Sequence, residues 1–201
     1  LPLLQTVQER HPQLMLHINE NFGTTLCDVV RNGLMDMAVL YGGEHAVRGL
    51  SFDPLLTEDL CVVASHGMLR MDGDELALAE LRNVDLLLPS IDNQLRRSVD
   101  RAFASAKMIP RVVAEMESSS TLAAAVASGV GATILPVSLA RCVAATAVVD
   151  VGRLVSPHIE IPLALCASDH LPLSEPAQVV RSILMELVNR LKLGSGMHAV
   201  H

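Results

Sequence analysis

The sequence predicts an α/β fold built as two similar small lobes, and three observations predict it. Strand-like runs alternate with segments of helical spacing along the chain, the signature of parallel α/β architecture. The pattern T-L-x-x-x-V-x-x-G stands at Thr25, Leu26, Val30 and Gly33 and again, identically spaced, at Thr121, Leu122, Val126 and Gly129. Each copy lies between two β-like runs, 14–18 and 37–40 for the first and 111–114 and 132–135 for the second. The repeated object is therefore a strand–helix–strand unit. One such unit in each half, with a single late long strand, predicts two small sheets joined by crossings.

Taken in order, Pro2 suits the first turn of a helix, whose stripe of Leu3, Leu4 and Val7 ends at His11-Pro12. A strand over 14–18 follows. Thr24 or Thr25 reads as the N-cap of the next helix, and Asn32-Gly33 as its left-handed stop. Strand 37–41 leads to Gly42-Gly43, which open a loop. Residues 54–56 and 59–64 read as two strands interrupted by Thr57-Glu58, and the polar stretch 65–74 as the lobe boundary. A short helix near 76–81 and a strand over 85–88 come next. Leu95, Val99 and Phe103 mark a helix over 93–107. After the second repeat, the chain reads as a helix around 137–144, strands over 148–151 and 160–167, and a final helix over 175–192.

Composition excludes several classes of function. Of 201 residues, 50% are hydrophobic and 18% charged, so a sizeable core is expected and disorder is not. Mean hydropathy is +0.39, yet no apolar run approaches the ~18 residues of a membrane span, and no signal peptide is visible. A net charge of −7 with scattered basic residues argues against this segment gripping a phosphate backbone. One Tyr, three Phe and no Trp leave little material for stacking platforms. Cys27, Cys61, Cys142 and Cys166 form no C-x-x-C pair and read as free buried thiols of a reducing compartment, so the expected localisation is cytoplasmic.

The candidate site is made of helix starts that bear hydroxyls. In open α/β sheets, ligands bind beyond the carboxyl ends of strands, where unpaired N–H groups and the helix dipole favour anions. Gly23-Thr24-Thr25, Ser90, and Ser118-Ser119-Ser120-Thr121 fit this description. Each reads either as an ordinary N-cap or as part of a ligand site that recurs in both halves. Glu117 reads as a solvated strand-end charge, or as a carboxylate that meets a ligand amine or holds a donor. Tyr41 and Gly42 belong to the same rim.

Catalytic constellations are missing: the chain has no H-E-x-x-H, G-x-S-x-G or Walker-type loop. Ser128-Gly129-Val130-Gly131 follows a helix, whereas a dinucleotide loop precedes one. The eight histidines are spread out, with only His198 and His201 close together in the tail, and Asp72-Gly73-Asp74-Glu75 lacks the rest of a calcium loop. No catalytic residue, cofactor or metal is expected.

Several segments then resemble the effector-binding domain of LysR-type transcriptional regulators. They are Leu1-Pro2-Leu3-Leu4, His11-Pro12, Gly23-Thr24, Asn32-Gly33-Leu34-Met35-Asp36-Met37-Ala38-Val39, Pro54-Leu55 with Glu58-Asp59-Leu60, and the run from Val126 to Pro136. Their order and spacing over nearly the whole chain carry the resemblance. Asn19-Glu20-Asn21 and Glu115-Met116-Glu117-Ser118 are most similar to the nitrogen assimilation control branch. The resemblance implies two Rossmann-like lobes, periplasmic-binding-protein-like of type 2, joined by two crossover strands. Lobe I would be 1–63 plus 168–201, and lobe II 65–166. An effector, a small polar or anionic metabolite, would bind in the inter-lobe cleft and bias a dimer or tetramer on DNA. Thr24, Thr25, Tyr41, Ser90, Glu117 and Ser118 match cleft-facing positions.

The chain departs from the family pattern in two ways: the winged helix-turn-helix and the opening strand with its Ser/Thr loop are absent. DNA would be reached only through that missing N-terminal part. The resemblance leaves a non-enzymatic regulatory domain as the reading. The alternatives are a solute-binding protein of a transport system, which shares the fold, and a small-molecule lyase or deaminase.

Overall fold

The computed structural model describes residues 2–20, 23–42 and 47–195. In chain order the first elements are α1 (Pro2–Arg10), α2 (Gly23–Arg31), β1 (Met37–Tyr41) and β2 (Leu50–Ser65). Then come β3 (Glu75–Ala77), a 3-10 turn (Leu78–Leu81), β4 (Asp85–Leu88), α3 (Gln94–Ser105), β5 (Arg111–Glu115) and α4 (Ser119–Ala127). The last are β6 (Thr133–Pro136), α5 (Val137–Ala144), β7 (Val149–Val155), β8 (Glu160–Ser168) and α6 (Glu175–Ser195). The chain divides into two compact units, Leu1–Thr57 with Pro162–His201, and Glu58–Ile161. It leaves the first unit inside β2 and returns inside β8.

In the first unit, β1 pairs antiparallel with β8, from Met37 opposite Ala167 to Tyr41 opposite Leu163. Val30 of α2, Leu40, Leu50 and Cys166 form one buried cluster. Val7 of α1 meets Val180 and Ile183 of α6 in another, and Arg10 forks onto Glu186 at 2.7 and 3.2 Å.

The expected strand over 14–18 is absent. Leu14 and Leu16 pack against the Val7 cluster, while Met15 and Ile18 are exposed at 93% and 67%. Among the described residues, no strand lies beside this segment to complete a ladder. An apolar run alone does not make a strand, which also needs a backbone partner.

In the second unit, Leu60–Val63 of β2 pair with β6, and Cys61–Ser65 pair with β7, both antiparallel. β3 runs parallel to β7, and β4 runs parallel to β5. Leu86 bridges to Ala132 just ahead of β6. The sheets are thus mixed rather than purely parallel.

Three further expectations change here. The short helix expected near 76–81 is a 3-10 helix confined to Leu78–Leu81, with Leu76 in the preceding strand β3, and Leu78 and Leu81 are fully buried. The two strands expected at 54–56 and 59–64 are one, and the units divide within it rather than at 65–74. Glu58 explains this. Its side chain is 4% exposed and accepts the Ser138 N–H at 3.1 Å in the first turn of α5, so its charge serves a helix start and does not break the strand.

The two repeat copies end alike. Gly33 and Gly129 have φ of +69° and +76°. Gly33 donates to Val30 and Leu34 to Val29, while Gly129 donates to Val126 and Val130 to Ala125. This is the paired bonding of a Schellman stop, which a residue with positive φ makes possible. Val30 and Val126, one per copy, are both fully buried.

All four cysteines are free. Cys61 and Cys166 are buried, and burial pushes their thiols up to about 11 and about 12. Cys27 is half-buried and Cys142 is exposed, so the expectation of buried thiols fails at Cys142, which lies on the outer face of the short helix α5.

Candidate functional site

Because β4 and β5 are parallel neighbours, the segments that follow them emerge at the same edge of the second unit. After β4 comes Pro89-Ser90. After β5 come Met116, Glu117 and Ser118, the last being the N-cap of α4. The Met116 N–H donates to the Leu88 carbonyl at 2.9 Å, which extends the register to the edge.

Glu117 closes this edge. Its Oε1 accepts the Ser90 N–H at 2.9 Å and also a very short bond from the Ser90 hydroxyl. Ser118 Oγ accepts the Thr121 N–H at 3.3 Å and lies 3.1 Å from both Ser120 Oγ and Thr121 Oγ1. Ser119 opens α4 and is exposed. Ser90, Glu117 and Ser118 are thus brought together as a polar rim at a helix start. Ser90 does not cap α3. That place belongs to Asn93, whose side chain accepts the Leu95 N–H at 2.9 Å.

Beneath the rim lies Arg96, which in the sequence stands out only by its neighbour Arg97. It is 9% exposed. Its Nε meets both oxygens of Asp100 at 3.0 Å, and its Nη1 reaches the Pro89 carbonyl at 2.9 Å and Glu115 at 3.2 Å. One guanidinium therefore ties α3 to the ends of β4 and β5. The i, i+4 spacing of Arg96 and Asp100 was the available signal.

The remaining candidates belong to the first unit. Helix α2 begins at Gly23, so Thr24 and Thr25 lie inside its first turn and are not its N-cap. Thr25 is half-buried and lines a depression with His17, Leu34 and Met35. Tyr41 ends β1 and is half-buried. The Gly42 N–H donates to the Pro162 carbonyl at 2.7 Å, so this amide is spent on the fold. Gly43, His198 and His201 lie outside the described residues.

Spacing alone pointed to no metal ligands, yet the fold gathers Asp59, His158 and Glu160, with one ligand atom of each within 4.8 Å of the others. Their wide separation in sequence hid them.

A two-unit α/β chain whose second unit presents a hydroxyl-rich helix start beside a strand end has the form of a small-molecule sensing domain. Residues 1–189 match the model of the LysR substrate-binding domain, and the chain belongs to that family. It is 39% identical to the nitrogen assimilation regulatory protein nac of Klebsiella aerogenes over 193 residues, 96% of this chain and 62% of that protein. The chain therefore spans a little over three fifths of that relative. Among solved structures it is similar to the CcmR regulatory domain of Synechocystis PCC6803 in complex with 2-PG, with a TM-score of 0.79, 16% identity, and coverage of 94% and 90% of the two chains. It is also similar to the effector-binding domain of QuiR in complex with shikimate, with a TM-score of 0.76, 18% identity, and coverage of 94% and 89%. Among the described residues, no helix is long and apolar enough to cross a membrane.

Proposed function

We propose that this domain senses a small polar or anionic metabolite at the β4–β5 edge. The whole protein would be a cytoplasmic, homo-oligomeric, non-enzymatic transcriptional regulator. The observation that carries the reading is the convergence of Ser90, Glu117 and Ser118 at the carboxyl ends of two parallel strands, braced by Arg96. Neighbours of the same fold solved in complex with 2-PG and with shikimate support it.

Glu117 sharpens the ligand class. Its Oε1 already holds both Ser90 donors, which leaves Oε2 to accept from a ligand hydroxyl or amine. The first-turn amides of α4 favour a ligand carboxylate or phosphate. A metabolite with both an anionic group and a hydroxyl or amine fits best. DNA would be contacted by a part of the regulator outside these 201 residues, since the net charge of −7 suits no phosphate backbone.

Thermal-shift screening against amino acids, hydroxy acids and sugar phosphates tests this. An effector at a hundred times its Kd stabilises the fold by about 2.7 kcal/mol, and Ser118→Ala and Ser90→Ala should each weaken that response. A panel without a stabilising compound, or one whose effect survives both substitutions, would remove the rim as the sensing site.

A further inference from the structure

Asp59 lies on β2, His158 in the turn after β7, and Glu160 at the start of β8, all outside the β4–β5 edge. β2 and β8 are neighbours in one sheet, and beside these residues the Leu60 N–H donates to the Ile159 carbonyl at 2.9 Å. Leu60 is fully buried and Ile159 is 8% exposed. Asp59 precedes Leu60, and His158 and Glu160 flank Ile159. Asp59 and Glu160 lie in extended chain, where neighbours of buried residues point to the opposite face, and all three side chains are half-buried or exposed. His158 Nε2 stands 2.8 Å from Asp59 Oδ1.

We propose that Asp59, His158 and Glu160 bind a divalent first-row transition ion, with Zn2+ the best match. One imidazole and two carboxylates suit such ions, whereas Mg2+ and Ca2+ prefer oxygen alone. With Zn–N and Zn–O bonds of about 2.0–2.2 Å, neighbouring tetrahedral ligand atoms stand roughly 3.4 Å apart. Asp59 and His158 need open only slightly, and Glu160, an exposed side chain, closes the rest, leaving the fourth position to water. Arg153 is the competing cation, but its Nη1 is 3.9 Å from Asp59 Oδ2, the oxygen not paired with His158, and its Nη2 is held by Glu75. The ion would tie β2 to β8 beside the points where the chain passes between its units, and so bear on the strands that join them.

Titration of the metal-free chain with zinc chloride, followed by calorimetry and equilibrium dialysis, tests the site. One ion per chain is expected. His158→Ala should lower the affinity by more than the roughly 10–100-fold that losing an outer-shell partner costs, and Glu160→Gln should also lower it. His66→Ala, which removes another histidine paired with an aspartate, and the double variant His198→Ala with His201→Ala should bind as the parent does. X-ray absorption of the zinc-loaded chain should show a single imidazole among oxygen neighbours. An unchanged melting temperature of metal-free His158→Ala separates loss of the site from loss of the fold. Absence of stoichiometric binding, parental affinity in His158→Ala, or several imidazoles around the ion would each overturn the proposal.

Discussion

Glu117 accepts the backbone N–H of Ser90 at 2.9 Å and its hydroxyl as well, joining the loops that follow two parallel strands. The contact fills the donors that an anion would otherwise meet at Ser90. Glu117→Ala should therefore raise the affinity of this edge for inorganic phosphate or a carboxylate probe, read by calorimetry. It should also cost about 1 kcal/mol of stability in urea, since the bond is charge-assisted but solvent-exposed. Unchanged anion affinity would show that the Ser90 donors do not face the ligand.

Arg96 carries more of the stability. Its guanidinium is nearly buried and holds the Pro89 carbonyl, Asp100 and Glu115. Arg96→Met keeps much of the apolar stem and removes every bond, so it should cost about 2–4 kcal/mol in urea denaturation. It should also weaken any effector response, by releasing the loop that carries Ser90.

Three glycines should rank in a set order when changed to alanine. At Gly129 only the backbone objects, with φ of +76° and nothing closer than Ser65 Oγ at 3.5 Å, which predicts about 1 kcal/mol. Gly33 adds a contact at 2.8 Å with Leu171 Cδ1, an exposed side chain that can move. At Gly131 the new Cβ would lie 2.7 Å from the Asp85 carbonyl oxygen. That backbone belongs to β4, so about 2–3 kcal/mol is expected. Chemical denaturation should place Gly131→Ala as the most damaging and Gly129→Ala as the least.

The His66–Asp150 contact, 2.8 Å, makes a pH-dependent contribution of known sign. The hydrogen bond to Asp150 holds His66 above its ordinary value of 6.5. The Gly67 N–H, then His66, hold Asp150 below its ordinary 3.8. The His66 contribution is full below 6.5 and is lost as pH rises through the raised value. That of Asp150 is full above 3.8 and is lost as pH falls through the lowered value. NMR titration of the His66 ring should show its midpoint fall towards 6.5 in Asp150→Asn. An identical midpoint in both proteins would mean the contact does not form in solution.

Much of the fold was legible because its signals are local. The helices of both repeat copies, their glycine stops and the stripe of Leu95, Val99 and Phe103 lie where the spacing put them. The misreadings share one cause. At 14–18 the apolar run was real but, among the described residues, no neighbouring strand completes a ladder. At Thr57-Glu58 a charge suggested a break, but Ser138, far along the chain, takes that charge.

For the candidate site, residue types and helix starts determined which hydroxyls to consider, and the repeat determined that they come in two sets. Tertiary structure alone decided their partners: Glu117 on Ser90, Arg96 beneath both, Gly42 engaged with Pro162, and His158 beside Asp59. The physical reason is range. Propensity, capping and periodicity act over a few residues and are written in neighbouring letters. A hydrogen bond between strands depends on which distant segments the packing of Val126, Leu86 and Leu60 brings within 3 Å of each other.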